Sequence, residues 1–311
     1  MTNTDDRAAA VRKGDKRAVA ALLSAIEGGP SPELAATLDA LFAAPRGHVL
    51  GITGPPGVGK STLIRRLMEN WRSRNETVGV LAVDPSSRIS GGALLGDRLR
   101  MASGSDGGVF IRSMAAGGQL GGLARAAFPA IAVLRAGFDH VVVETVGVGQ
   151  SETGVADLAD TVLLCVQPGS GDVVQFMKAG IMETPDVLTV TKADTGAGRT
   201  LAELRAALAM MTAREGWPVP AVPSAAASPG GTDELTAALE THANWLSERG
   251  RLGRRRAGQA AAWLRGRLTE AYGQAGIGWL ARTRREALEA PDRPFARAAE
   301  LERCLAEKTG F

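Results

Sequence analysis

The chain has 311 residues, 45% of them hydrophobic but only 4% aromatic, with a net charge of +3 at pH 7. That length allows one large domain with additions or two domains, and that composition requires a core built mainly of Ala, Val, Leu and Ile. The small charge argues against a dedicated nucleic-acid protein; two distant cysteines, Cys165 and Cys304, give no disulfide framework and fit a reducing compartment; and no apolar run reaches the ~18 residues of a membrane span.

The polar, acidic opening MTNTDDRAAA is unlike a secretory or transit segment, so a cytoplasmic protein is expected. Residues 5–27 read as a helix with a weak point at Gly14, broken by Gly28-Gly29-Pro30. Ser31-Pro32-Glu33 restarts a helix, with Ser31 as N-cap and Pro32 in the first turn. Leu34, Leu38, Leu41 and Phe42 form its apolar stripe. Strand candidates follow at Val49–Thr53, Val78–Val83, Val109–Arg112, Val141–Glu144, Val162–Val166, Val187–Thr191 and Val219–Val222. Pro218 and Pro220 limit the last to an edge or a short extended piece. Several of these runs are short, continuous and rich in Val, as strands buried on both faces are. Helical segments separate most of them, so the fold class expected is α/β, a mainly parallel sheet flanked by helices. From RGRLGRRRAG onward the spacing is helical: Trp263, Leu264, Leu268 and Tyr272 share one face, and Leu288 and Leu301 mark later helices.

Directly after the first strand, Gly54-Pro55-Pro56-Gly57-Val58-Gly59-Lys60-Ser61-Thr62 fits G-x-x-x-x-G-K-[ST]. Glycines at Gly54, Gly57 and Gly59 let the backbone N–H groups of Pro56–Thr62, proline excepted, curl around phosphate oxygens. Lys60 supplies a cation to the terminal phosphates, and Ser61 offers a hydroxyl to Mg²⁺. A helix over about Lys60 to Ser73 would point its positive end at the anion.

A phosphate loop does not choose between ATP and GTP. After the strand at Val187–Thr191 stands Thr191-Lys192-Ala193-Asp194. Guanine carries N1–H and N2–H₂ donors on adjacent atoms; one carboxylate accepts both, and adenine lacks the pair. Asp194 is therefore read as the guanine reader, with the Lys192 stem across the purine face. The usual form is N-K-x-D, so Thr191 replaces an amide with a hydroxyl. Ser224-Ala225-Ala226 supplies small residues whose backbone N–H groups could face the guanine O6.

Mg²⁺ needs hard oxygen ligands. Asp84 ends a strand in DPSS; Glu144 ends another in ETVG, echoing the D-x-x-G of GTPases; and Asp97 lies in GGALLGDRLRM. Gly147 would offer a backbone N–H to the γ-phosphate. Asp84 and Glu144 are the candidates for orienting the attacking water, with Gln150 an alternative.

Taken together, LAVDPSS, GGALLGDRLRM, VETVGVGQSE, PGSGDVVQFMKAGI and TKAD resemble the MeaB/ArgK/MMAA family, GTPase chaperones of adenosylcobalamin-dependent acyl-CoA mutases. The resemblance covers most of the chain. It implies an N-terminal helical extension over 1–46, a P-loop GTPase domain over 47–246, and a C-terminal helical dimerisation arm over 247–311. It implies GTP/GDP and Mg²⁺ as ligands, with Ser61, Asp84, Asp97 and Glu144 around the metal and no tightly bound cobalamin. It also implies an extra switch in PGSGDVVQFMK, where Asp172 and Lys178 would be the working residues. The partners it implies are a B12-dependent acyl-CoA mutase, a cobalamin adenosyltransferase and a second copy of the chain, with neither nucleic acid nor membrane. Thr191, Val173-Val174 and Phe176-Met177 depart from the family pattern.

Two rival readings are open. A metallochaperone GTPase for nickel or cobalt would need a soft-ligand cluster, which two distant cysteines and the scattered His48, His140 and His242 do not suggest. A nucleic-acid-binding NTPase would use Arg249, Arg251, Arg254, Arg255 and Arg256, a run that reads more simply as a solvated linker or helix start.

Overall fold

The computed structural model describes residues 3–84, 106–115, 122–145, 154–169, 184–210, 213, 215–289 and 291–309. In it the Val-rich runs are strands: β1 (His48–Thr53), β2 (Val78–Asp84), β3 (Val109–Ala115), β4 (His140–Thr145), β5 (Thr161–Val166), β6 (Val187–Val190) and β7 (Ala221–Pro223). All pair in parallel, in the order β3-β2-β4-β1-β5-β6-β7. Every residue of β5 and β6 is buried, the result expected when both faces of a parallel sheet are covered.

The helices are α1 (Asn3–Arg12), α2 (Lys16–Gly28), α3 (Pro32–Phe42), α4 (Lys60–Ser73), α5 (Gly122–Gly137), α6 (Gly198–Ala209), α7 (Asp233–Ser247), α8 (Arg251–Thr283) and α9 (Pro294–Thr309). Leu50 and Ile52 of β1 face α4 with its Leu63, Ile64 and Leu67. Val49 faces the other way, toward α5 and the terminal helices. One-residue alternation along β1 thus assigns the two layers.

Three expectations shift by a few residues. The single helix over 5–27 is two, α1 and α2. Gly14 turns the chain at φ +76, and the Asp15 carboxylate accepts the backbone N–H of Arg17 and Ala18, which makes it the cap of a new helix. β3 runs on to Ala115 because it pairs with β2 over its whole length. β7 begins at Ala221, two residues later than expected, because Pro220 has no N–H to give a ladder; its carbonyl accepts from Leu188 instead. Ser31 caps α3 as expected, accepting the Leu34 N–H at 3.1 Å.

Four of the scarce aromatics, Phe42, Phe128, Trp263 and Phe295, gather where the two ends of the chain meet. Phe128 of α5 stacks on Trp263 of α8 with ring centroids 5.2 Å apart, and Trp263 meets Phe295 of α9 edge-on at 5.0 Å. Asp39 of α3 accepts the N–H groups of Phe295 and Ala296 at 3.0 and 2.9 Å, so a carboxylate from the N-terminal helices satisfies the first turn of α9. The terminal helices and the sheet face under α5 therefore share one hydrophobic cluster.

The arginine run starts α8, and three of its members are held rather than solvated, Arg251 by the Trp245 carbonyl at 2.9 Å. Arg256 bonds Asp160 at 2.6 Å, and Arg255 bonds Asp186 at 2.7 Å. Each aspartate directly precedes a strand and also accepts a backbone N–H, from Val49 and Val162 respectively. Burial alone would raise the Asp160 carboxyl, but the bonds and charge of Arg256, with His48 and the Val49 N–H, outweigh it and hold the group below its ordinary 3.8. A depressed carboxyl adds stability that is present above the unfolded value and lost as pH falls through the folded one. Asp160→Asn is expected to cost about 3 kcal/mol at neutral pH by leaving Arg256 without its counter-charge. The variant's stability, measured by urea unfolding, should fall less steeply than the wild type's below pH 3.8. Parallel acid limbs would show that this pair is not the source.

Candidate nucleotide site

The carboxyl ends of β1, β4 and β5 lie side by side, and the chain crosses β1 when it passes from β4 to β5. Ligands collect outside such a switch point. The turn from β1 into α4 is shaped by glycine: Gly54 has φ +140, and a Cβ there would run into the Cys165 carbonyl of β5. Gly57 and Gly59 also have positive φ, +76 and +106. α4 then starts at Lys60 with no side-chain cap, so its first N–H groups face the loop as donors for an anion. Lys60 is buried, its Nζ 2.6 Å from the Gly54 carbonyl and 3.0 Å from that of Pro55.

Ser61 Oγ stands 3.5 Å from Glu144 Oε1. Glu144 is 1% exposed and its Oε2 has no hydrogen-bond partner among the described residues. Burial pushes its carboxyl up to about 7, against the pull of Lys60 and the bond from Ser61. A buried carboxylate oxygen without a partner is costly, and a divalent cation held by one or two acids, a hydroxyl and phosphate oxygens removes that cost. The donor set at Ser61 and Glu144 therefore fits Mg²⁺. Asp84 ends β2, two residues beyond the Ala82 that pairs with Glu144, so it lies at the same sheet edge. Asp97, Gly147, Gln150, Asp172 and Lys178 lie outside the described residues. Thr53, the last residue of β1, was not singled out in the sequence; its Oγ1, immediately before the loop, is another buried oxygen without a partner among the described residues.

The TKAD segment clasps the phosphate loop. The Thr191 hydroxyl lies 2.6 Å from the Val58 carbonyl and 3.0 Å from that of Val166, its single proton shared between them. The hydroxyl that stands in place of the usual amide thus ties the segment to the loop. Lys192 Nζ reaches back to the Gly57 carbonyl at 2.9 Å. Asp194 sits exposed on a short 3₁₀ turn over Ala193–Thr195, which the Ala193 N–H ties to the Ser224 carbonyl at 3.0 Å. At Ser224-Ala225-Ala226, Ser224 gives its N–H to the Val190 carbonyl, a sheet bond, and Ala225 gives its own to the Gly231 carbonyl, a turn bond.

The remaining groups that invited other readings are structural. His48 bonds Thr161, His140 stacks on Trp71 with centroids 4.3 Å apart and bonds Glu76, and His242 bonds Thr161. Cys165 is fully buried, its thiol pushed up to about 12, a poor ligand or nucleophile. Among the described residues no group of three or more His, Cys, Asp or Glu could hold a metal ion, and no helix is long and apolar enough to cross a membrane.

A parallel sheet with a glycine-rich phosphate loop at its switch point, and a lysine–aspartate segment clasped to that loop, defines a P-loop GTPase. The chain belongs to the family described as "Methylmalonyl Co-A mutase-associated GTPase MeaB", whose model matches residues 24–275. A relative from Pyrococcus horikoshii carrying the name "Putative GTPase" is 44% identical over 262 residues, 82% of this chain and 83% of that one. The "Methylmalonic aciduria type A homolog, mitochondrial" of Caenorhabditis elegans is 40% identical over 223 residues, 69% of this chain and 56% of that one. A crystal structure described as an LAO/AO transport system kinase superposes over 100% of this chain and 99% of its own with a TM-score of 0.67 at 24% identity, a likeness of fold. Family membership makes the protein a GTP hydrolase of the chaperone class associated with B12-dependent acyl-CoA mutases.

Proposed function

We propose that the protein binds GTP with Mg²⁺ at this site, hydrolyses it to GDP and phosphate, and uses the cycle to gate cobalamin loading, protection and reactivation of a separate B12-dependent acyl-CoA mutase. The observation that carries the reading is the clasp of Thr191 and Lys192 on the carbonyls of Val58 and Gly57. It supports reading the segment as the one that meets the base beside a phosphate cradle. In this reading the N–H groups of Gly57–Thr62 and the Lys60 ammonium hold the phosphates, Lys192 lies across the purine, and Asp194 accepts guanine's two donors. Ser61 and Glu144, with Asp84 and Asp97, hold Mg²⁺, which supplies charge neutralisation on the phosphates when bound. Asp84 and Glu144 are assigned to orient the attacking water, and Gly147, by its motif, to meet the γ-phosphate.

GTP and GDP differ by one phosphate, and loops that touch it take different positions in the two states. A mutase that favours one state must alter nucleotide affinity in return, because linkage is reciprocal. Asp172 and Lys178 are assigned to that relay by their motif. We place the protein in the cytoplasm, as a homodimer through residues 247–311, with 1–46 as a helical extension, 47–246 as the GTPase domain, and a cobalamin adenosyltransferase as a second partner.

The test is steady-state GTP hydrolysis with and without a purified B12-dependent acyl-CoA mutase. Stimulation by the mutase is expected, and Lys178→Ala should lose most of it while binding nucleotide as before. A rate indifferent to mutases that act on methylmalonyl-, isobutyryl- and 2-hydroxyisobutyryl-CoA would reject the gating role.

A further inference from the structure

The segment that reads the base and the segment that leaves β5 are tied together. Lys192 Nζ donates to the Gly57 carbonyl at 2.9 Å and to Gln167 Oε1 at 3.0 Å. Gln167 is the first residue beyond β5, and two residues on the Gly169 N–H faces Thr200 Oγ1 of α6 at 3.4 Å. An ammonium has three donors and no acceptor, so Gln167 must present its carbonyl oxygen to Lys192. Lys192 itself stands at φ +51, a left-handed conformation that a lysine adopts at some cost. A strained backbone at one end of the side chain and two acceptors at the other fix the course of the stem. It passes over Gly59, where an added Cβ would come 4.0 Å from Lys192 Cε.

We propose that Gln167 is a positioning residue for guanine nucleotide. Together with the Gly57 carbonyl it holds the Lys192 ammonium over the phosphate loop, so that the stem is laid out as a platform for the purine before the nucleotide arrives. A long lysine side chain otherwise loses rotamer freedom on binding, and ordering it in advance removes that cost from the nucleotide's affinity. The proposal rests on the reading of Lys192 as the support of the purine ring. Gln167 belongs to no nucleotide-binding motif; its role is set by where β5 ends relative to the turn after β6.

The test is GDP affinity, read with a fluorescent GDP, for the wild type, Gln167→Leu, Gln167→Glu, Lys192→Met and the Leu/Met double variant. Gln167→Leu should weaken binding about three- to tenfold, the range for one exposed hydrogen bond to a charged group. Gln167→Glu should recover the lost affinity, because a carboxylate holds an ammonium at least as well as an amide does. On the Lys192→Met background the Leu substitution should cost less than about twofold, since the two side chains act as one unit. Melting curves of the apoproteins separate binding from folding. Equal losses in the Leu and Glu variants, or a Leu effect undiminished without Lys192, would overturn the proposal. If Lys192→Met weakens GDP and Gln167→Leu does not, the proposal alone falls. If Lys192→Met changes nothing, the platform reading falls with it.

Discussion

Lys60→Ala is expected to weaken Mg²⁺–GTP binding by about a hundredfold or more, the consequence of leaving a buried anion without its charged partner. The ammonium is buried at the mouth of α4 and held by the Gly54 and Pro55 carbonyls. It stands ready at the place where two negatively charged phosphates would meet the helix N-terminus, and there a charge-assisted bond is about twice as strong as a neutral one. The variant keeps every backbone N–H of the loop, so residual binding measures what the helix end contributes alone. Lys60 also lowers the Glu144 carboxyl electrostatically, so its removal leaves that acid more readily protonated and the metal less well held. Titration with GTP in the presence of Mg²⁺ reads the effect, with a melting curve to check the fold. An affinity within about threefold of the wild type would remove Lys60 from the phosphate site, since one lost charged contact should exceed that.

Asp194→Asn is expected to leave the phosphate grip intact and to collapse the choice of base. A carboxylate accepts both guanine donors; an asparagine amide accepts one and turns a donor against the other. A site built to bond a polar group rejects a ligand that leaves its partner unpaired by about a hundredfold or more, and selectivity for GTP over ATP should fall by that order. The same substitution should raise affinity for xanthosine triphosphate, whose carbonyl at C2 accepts from the new amide. Because Asp194 is exposed on the Ala193–Thr195 turn, the change should leave stability nearly untouched. Unchanged selectivity would mean that the base is read elsewhere.

How far these assignments could be made from the sequence depends on how local they are. The seven strands were legible because each is a short apolar run bounded by turns, and the phosphate loop and TKAD were legible because each is one continuous segment. Features closed by distant residues were not. Asp39 caps α9 across most of the chain, and no local pattern announces it. Arg255 and Arg256 read as a solvated helix start because their partners, Asp186 and Asp160, stand far away in sequence. A signal was present all the same: Asp139, Asp160 and Asp186 each directly precede a strand, and each accepts a backbone N–H of a neighbouring segment. Ser224 and Ala225 were assigned to the base from their small size, while Ser224 gives its N–H to the Val190 carbonyl of β6 and Ala225 gives its own to the Gly231 carbonyl of a turn. Thr53 borders the phosphate loop in sequence but carries no motif, and Gln167 carries none either and reaches the site only through the meeting of strand ends.

The central claim is that one carboxylate, Asp194, and one clasped phosphate loop make this a site for guanine nucleotide rather than adenine nucleotide. Isothermal titration of the wild-type protein with GTP and with ATP, each with Mg²⁺ and in the same buffer, tests it most directly. Saturable heat with GTP and binding about a hundredfold weaker with ATP is the predicted result. Equal affinity for the two purines, or no heat with GTP, would contradict it.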